Sequence, residues 1–246
     1  MFINVPRQVG FLNDAHYNEY MLNIMSVSAT LDQHLVSTAN QKVLRLLAKF
    51  SDKEFYERQI ARTLGIAYGS AHNALSELYA SGLVHRRQEG KMFFYSIDAS
   101  NPIIIEFKKL ANLLLVEPLA SQLKAVSDRI ILYGSCAQGA DDSRSDVDLF
   151  VVSNKKKQAL DATNNFKFPR GFENIHLQAV IKTPAEMLRM GASDQAFLAE
   201  VERGIVLWER AAGESGLSRT ASTSQYRGRM VNVASLPKPS VRSGVP

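Results

Sequence analysis

The sequence predicts a two-part α/β chain, α+β overall, in which a helical unit comes first, a mixed-sheet unit second, and a helical connector joins them. Three observations predict it. Three short stretches between residues 38 and 81 carry apolar side chains at helical spacing and lead into two strand-like runs. A long apolar helical run, IIIEFKKLANLLLVEPLASQLKAVS, follows Asn101-Pro102. Beyond it, DRIILYG and DVDLFVV are dense apolar runs, typical of strands covered on both faces.

Taken in order, residues 1–37 form an N-terminal extension in which HYNEYMLNIM predicts a short helix over 16–25. Residues 38–98 form the first unit. Thr38 is placed to cap a helix whose Val43, Leu44, Leu47 and Phe50 share a face. EFYERQIARTLG predicts a second helix with Phe55, Ile60 and Leu64 turned inward, ended by Gly65. A third, over 68–81, carries Ala71, Leu75, Leu78 and Tyr79 on one side, and Gly82 stops it. LVHRR and KMFFYSID then read as a hairpin turning at Gln88-Glu89-Gly90, with the aromatic run packing onto the helices.

In the connector, residues 99–127, Asn101 caps and Pro102 takes the first helical position, while Glu117-Pro118 is expected to break or kink the run. Its apolar content suits packing against both units or a dimer surface. Residues 128–210 supply strands at DRIILYG, DVDLFVV and ENIHLQAVIK and a helix start at Thr183-Pro184-Ala185-Glu186. A helical stripe of Phe197, Leu198 and Val201 and a last strand, IVLWER, complete the unit. Residues 211–246, rich in Ser, Gly, Pro and Thr, read as a disordered tail.

The formal charge of the 246 residues is +5. Arg219, Arg227, Arg229, Lys238 and Arg242 against Glu214 put +4 of it in the tail, leaving +1 for the first 210 residues. The basic balance therefore says little about nucleic-acid binding by the folded body. One cysteine excludes an intrachain disulfide framework and a cysteine-based zinc site. With no readable leader and no apolar run of membrane-spanning length, the expected location is cytoplasmic, with no membrane partner.

The chemistry-bearing segment is Gly134-Ser135-Cys136-Ala137-Gln138-Gly139, five residues, then Ser145-Asp146-Val147-Asp148-Leu149. Residues two apart on a strand share a face, so Asp146 and Asp148 project together. Paired carboxylates repel unless a cation compensates, and a hard divalent ion such as Mg2+ prefers such oxygen ligands. Gly134-Ser135 falls where a strand turns into a helix, a place where free backbone amides receive phosphate oxygens. Cys136 is read as a small side chain for a crowded turn, and Trp208 as core or domain-contact material.

This pattern closely resembles the signature of the DNA polymerase beta-like nucleotidyltransferase superfamily, in its minimal type. The resemblance implies that Gly134, Ser135, Gly139 and Ser145 hold the nucleotide and that Asp146 and Asp148 bind Mg2+ or Mn2+. The substrate it implies is an NTP, ATP first among them. The family also uses a third carboxylate from a neighbouring strand, and Glu173–Val180, the matching strand, has no central aspartate. Either His176 serves as the catalytic base, or Glu173, Asp141 or Asp142 swings in, or the domain binds a metal-nucleotide weakly or not at all and has lost transfer. A different strand alignment and a carboxylate from a partner are the remaining alternatives. An active enzyme would move an NMP group onto a protein hydroxyl, a small alcohol or a nucleic-acid end.

The order of three helices and a hairpin resembles a winged helix-turn-helix. That resemblance implies a third helix entering the major groove, with Tyr68, Ser70, His72, Asn73 and Ser76 facing bases. Arg62 and the wing residues His85, Arg86, Arg87 and Lys91 are candidates for phosphate contact. The third helix itself has no Lys or Arg, so a homodimer would strengthen a small patch. A protein-contact or purely structural role stands beside DNA binding. Two functions follow: a metal-dependent nucleotidyltransferase coupled to a DNA-binding domain, or a DNA-binding transcriptional regulator or partner-binding protein whose nucleotidyltransferase-like domain is catalytically degenerate.

Overall fold

The computed structural model describes Asp32, residues 34–191 and residues 194–210. The helix expected over 16–25 and the tail expected over 211–246 lie outside the described residues. The first helix, α1 (Ala39–Lys49), opens on a complete capping box: Thr38 Oγ1 accepts from the Gln41 amide, and the Gln41 side chain accepts from the Thr38 amide. Its Val43, Leu46, Leu47 and Ala48 are buried. α2 (Glu57–Leu64) ends at Gly65 and α3 (Tyr68–Ala80) follows the turn, burying Ala71, Ala74, Leu75 and Leu78.

Two readings of this half change. EFYERQIARTLG is not helical throughout: β1 (Phe55–Tyr56) precedes α2 and pairs with β3 (Met92–Ser96), which pairs in turn with β2 (His85–Glu89). Glu89 lies opposite Met92, so the hairpin turns at Gly90-Lys91, one step later than Gln88-Glu89-Gly90. Tyr95 of β3 joins the helical core with Phe55, Ile60, Leu75 and Ile104.

α4 (Pro102–Lys124) is one helix with Pro118 inside it; the break expected at Glu117-Pro118 does not occur. Burial explains its persistence. Val116, Leu119 and Leu123 around the proline are fully packed into the sheet core, which offsets the lost backbone hydrogen bond. At the other end Ile104 belongs to the winged-helix core.

The second sheet runs β6 (Leu177–Lys182), β5 (Val147–Val152), β4 (Arg129–Tyr133), β7 (Ile205–Glu209). β4 is antiparallel to β5 and β7, whereas β5 and β6 are parallel. A parallel pair needs a crossover, and α6 (Lys156–Asn165) supplies it. α5 (Gly134–Gln138) is a single turn after β4, and α7 (Pro184–Met187) carries the capping box expected at Thr183 and Glu186. α8 (Gln195–Glu202) precedes β7. Val147, Leu149 and Val151 face α4 and α6, while Phe150 faces Phe197 and Val201 of α8. Among the described residues no helix is long and apolar enough to cross a membrane.

Candidate functional site

β4 ends at Tyr133 and the chain turns sharply at Gly134, whose φ of 68° is a left-handed value. The same glycine lies against the carboxylate strand: a Cβ there would sit 2.7 Å from Asp148 Oδ2. Asp148 is opposite Tyr133 on one side of β5 and Gln178 of β6 on the other. Asp146 precedes the strand and is exposed, while Asp148 is half-buried. Burial raises the Asp148 carboxyl above its ordinary range, and the charges of Asp146 and Glu200 push it the same way. The two signature aspartates therefore share one electrostatic neighbourhood beside the Gly134 turn.

The other signature residues hold the loop. Gly139 closes α5, and a Cβ there would meet the Ile105 carbonyl of α4 at 2.5 Å. Ser145 Oγ accepts from the Asp142 amide (2.9 Å). Ser135 is half-buried, its carbonyl taken by the Gly139 and Ala140 amides. Cys136 is buried and its thiol is pushed up to about 11 by that burial, so it is no ready nucleophile at neutral pH.

The acids that sequence reading left free to move are tied down. Asp141 is buried, accepting from Lys49 Nζ (2.7 Å) of α1 and Asn112 Nδ2 (2.9 Å) of α4. Lys108 Nζ donates to the Asp141 carbonyl, and Asn112 also donates to the Cys136 carbonyl (3.0 Å). Asp142 is held by Arg144 and Ser145, which bring its carboxyl down to about 2. The Glu173 carboxylate accepts from the Gly171 amide (2.8 Å). His176 is exposed just before β6; its carbonyl accepts from the Val147 amide, but its ring contacts neither aspartate among the described contacts. Gln178 is the residue in register with Asp148. Among the described residues no group of three His, Cys, Asp or Glu side chains is placed to hold a metal ion.

On the winged-helix half, Tyr68, Ser70, His72, Asn73 and Ser76 are all exposed on α3. Two of them are engaged. Tyr68 Oη donates to Glu57 (2.5 Å), and His72 Nδ1 lies 3.1 Å from the same carboxylate, which Tyr95 Oη also reaches. Burial pushes the Glu57 carboxyl up, yet these hydrogen bonds more than offset it and leave it below its ordinary range. In the wing, Arg87 is paired with Glu54 and Glu89. Arg86 lies over the Tyr79 and Phe93 rings (4.3 and 4.6 Å). His85 and Lys91 are exposed on the strand and at the turn.

Sequence reading missed Lys49, Lys108 and Asn112 as a buried node, Glu57 as a hub, and Glu200 as an acid near Asp148. The node had one signal: Lys108 and Asn112 are polar residues four apart, on one face of a helix rich in apolar residues.

Residues 118–212 match the family model described as polymerase beta, nucleotidyltransferase. Solved structures similar to this chain include NolR from Sinorhizobium fredii, 16% identical, covering 40% of this chain and 88% of its own, with a TM-score of 0.24. HlyU from Vibrio cholerae is 21% identical, covering 42% and 94%, with a TM-score of 0.25. The transcriptional regulator BldR from Sulfolobus solfataricus is 15% identical, covering 45% and 86%, with a TM-score of 0.32. A polymerase-beta-like nucleotidyltransferase domain and a winged-helix-like region are thus both present. The second rests on the order and pairing of α1, β1, α2, α3, β2 and β3.

Proposed function

We propose that the protein is a DNA-binding regulator whose nucleotidyltransferase-like domain keeps a phosphate cradle and two acids but has lost group transfer. The observation that carries this reading is the strand register: an amide, Gln178, stands beside Asp148 where transfer calls for a third carboxylate. Asp141, Asp142 and Glu173 are bound elsewhere, and Glu200, though its charge reaches Asp148, forms no three-acid metal group with the aspartate pair among the described residues.

Asp146 and Asp148 fit a single Mg2+ or Mn2+. Their oxygens are hard and the charge of Asp146 acts against ionisation of Asp148, and Mg2+ is characteristically held by one or two carboxylates together with substrate phosphates. Such an ion would neutralise phosphate charge. Gly134 and Ser135 bring backbone amides and a hydroxyl to the same edge, and Ser145 fixes the loop that presents Asp146. A nucleoside triphosphate, ATP in the first instance, is the ligand this set recognises.

The ligand's route to DNA is the buried node. Asp141 follows the cradle, and it is gripped by Lys49 of the first winged-helix element and by Lys108 and Asn112 of α4. Asp52, just after α1, accepts from the Ser143 amide and hydroxyl (2.9 and 2.6 Å). A shift of the loop on nucleotide binding is thereby passed to α1. Exposed Ser70, Asn73 and Ser76 would read base edges, with Tyr68 and His72 oriented by Glu57.

A second reading, an active enzyme moving an NMP group from an NTP to a protein or other acceptor, is favoured by the retained aspartate pair. One experiment separates them. Calorimetry with Mg2+ and each NTP, followed by a pyrophosphate-release assay, should give binding that Asp146→Ala and Asp148→Ala abolish, without pyrophosphate. Release that those substitutions remove would establish the enzyme instead. A homodimer, tested by light scattering, suits a two-fold DNA site.

A further inference from the structure

Away from the aspartates, an open pocket of about 550 Å³ is lined by Arg58, Arg62, Gly65, Ile66, Tyr68 and Arg170. Most of this wall is α2 and the turn into α3, but Arg170 comes from the loop before β6, in the nucleotidyltransferase-like half. Arg58 and Arg62 are one helical turn apart and exposed, and among the described residues neither pairs with an acid. Arg170 is anchored, its Nε donating to the Thr63 carbonyl (3.3 Å) and its Nη2 to the Arg62 carbonyl (2.9 Å). A cation suits these last carbonyls of α2. Gly65, at φ 66°, clears room for it: a Cβ there would lie 2.7 Å from Arg170 Nη1.

Three guanidinium groups thus share one concavity with no carboxylate among its lining residues. Their mutual repulsion is relieved by an anion, and guanidinium geometry matches phosphate oxygens. The pocket also abuts Tyr68, the first residue of α3, whose preceding residue, Ala67, provides no side-chain cap for the first-turn amides. A duplex whose bases meet α3 would run a backbone phosphate past this wall.

We infer that this pocket is a backbone-phosphate site for duplex DNA, and that Arg170 makes the nucleotidyltransferase-like half part of the DNA grip. The inference rests on the DNA-binding reading above. Its position at the foot of α3 and its open wall of exposed arginines favour a polymer backbone over a free anion. DNA bound there also pins the loop before β6 against α2.

The test is fluorescence anisotropy of the full chain with a labelled mixed-sequence duplex over a salt series. Arg58→Ala, Arg62→Ala and Arg170→Ala should each weaken binding several-fold and lower the salt slope by about one. Arg58→Glu should weaken it further; the Arg58 side chain makes no internal hydrogen bond among those described, so that variant reads the site independently of folding. Duplex binding by the wild type with an unchanged slope in every variant overturns the site and leaves the DNA reading standing. No duplex binding by the wild type at low salt overturns both. Loss of inorganic phosphate or ATP binding in Arg58→Ala, with duplex binding intact, overturns it in favour of a small-anion site.

Discussion

Asp141 and Asp148 are seven residues apart on either side of the same loop, and their surroundings are opposite. Asp141 is buried with Lys49, Lys108 and Asn112 gathered around it. Asp148 is half-buried beside Asp146 and within the field of Glu200, and no cation pairs with it among the described residues. A protein that kept both acids only for stability would neutralise both. The contrast separates an acid that holds two halves together from an acid left waiting for charge from outside the chain.

Four substitutions break or sharpen that contrast. The largest effect is expected from Asp141→Ala, which leaves two buried ammonium groups without their anion. Removing one partner of a buried ion pair costs about 3–5 kcal/mol, and urea denaturation would measure it; a loss below about 1 kcal/mol would mean the node is not what joins the halves. Gly134→Ala comes next. It forces a side chain into a left-handed backbone and against Asp148 Oδ2, for about 1–3 kcal/mol together with loss of nucleotide binding by calorimetry.

Asp148→Asn should act in the other direction. Because the folded carboxyl is raised, the native state holds its proton longer than the unfolded chain does. Wild-type stability therefore falls as pH rises from the ordinary carboxylate value through the raised one. The asparagine variant loses that fall and melts higher at neutral pH, by under about 1 kcal/mol after allowance for solvent screening, while nucleotide binding disappears. The smallest effect belongs to Arg87→Ala. Its pairs with Glu54 and Glu89 are exposed, and thermal melting should not register their removal.

The site's legibility follows from how local each feature is. The turn at Gly134 and the strand carrying Asp148 were readable because each is written in a few neighbouring residues, although Asp146, expected on the same strand face, falls just before the strand. Helices with caps, such as α1 after Thr38 and α7 after Thr183, were readable for the same reason. β1 was not: two residues, Phe55 and Tyr56, become a strand only because β3 returns beside them. α6 escaped notice because only Ala159 and Thr163 of its ten residues are buried. Lys49 and Arg170 escaped for a different reason. A lone cation carries no periodicity, and its partner lies roughly ninety residues away for Lys49 and over a hundred for Arg170.

α4 contributes to both hydrophobic cores. Its first turns complete the core that contains Ile60 and Leu75, and its last turns complete the core that contains Leu149 and Val151. The two cores are therefore joined by one uninterrupted helix and not by a linker. Residues 39–210 should accordingly rotate in solution with one correlation time, and a torque applied at α3 would be felt at β5 without any hinge to absorb it.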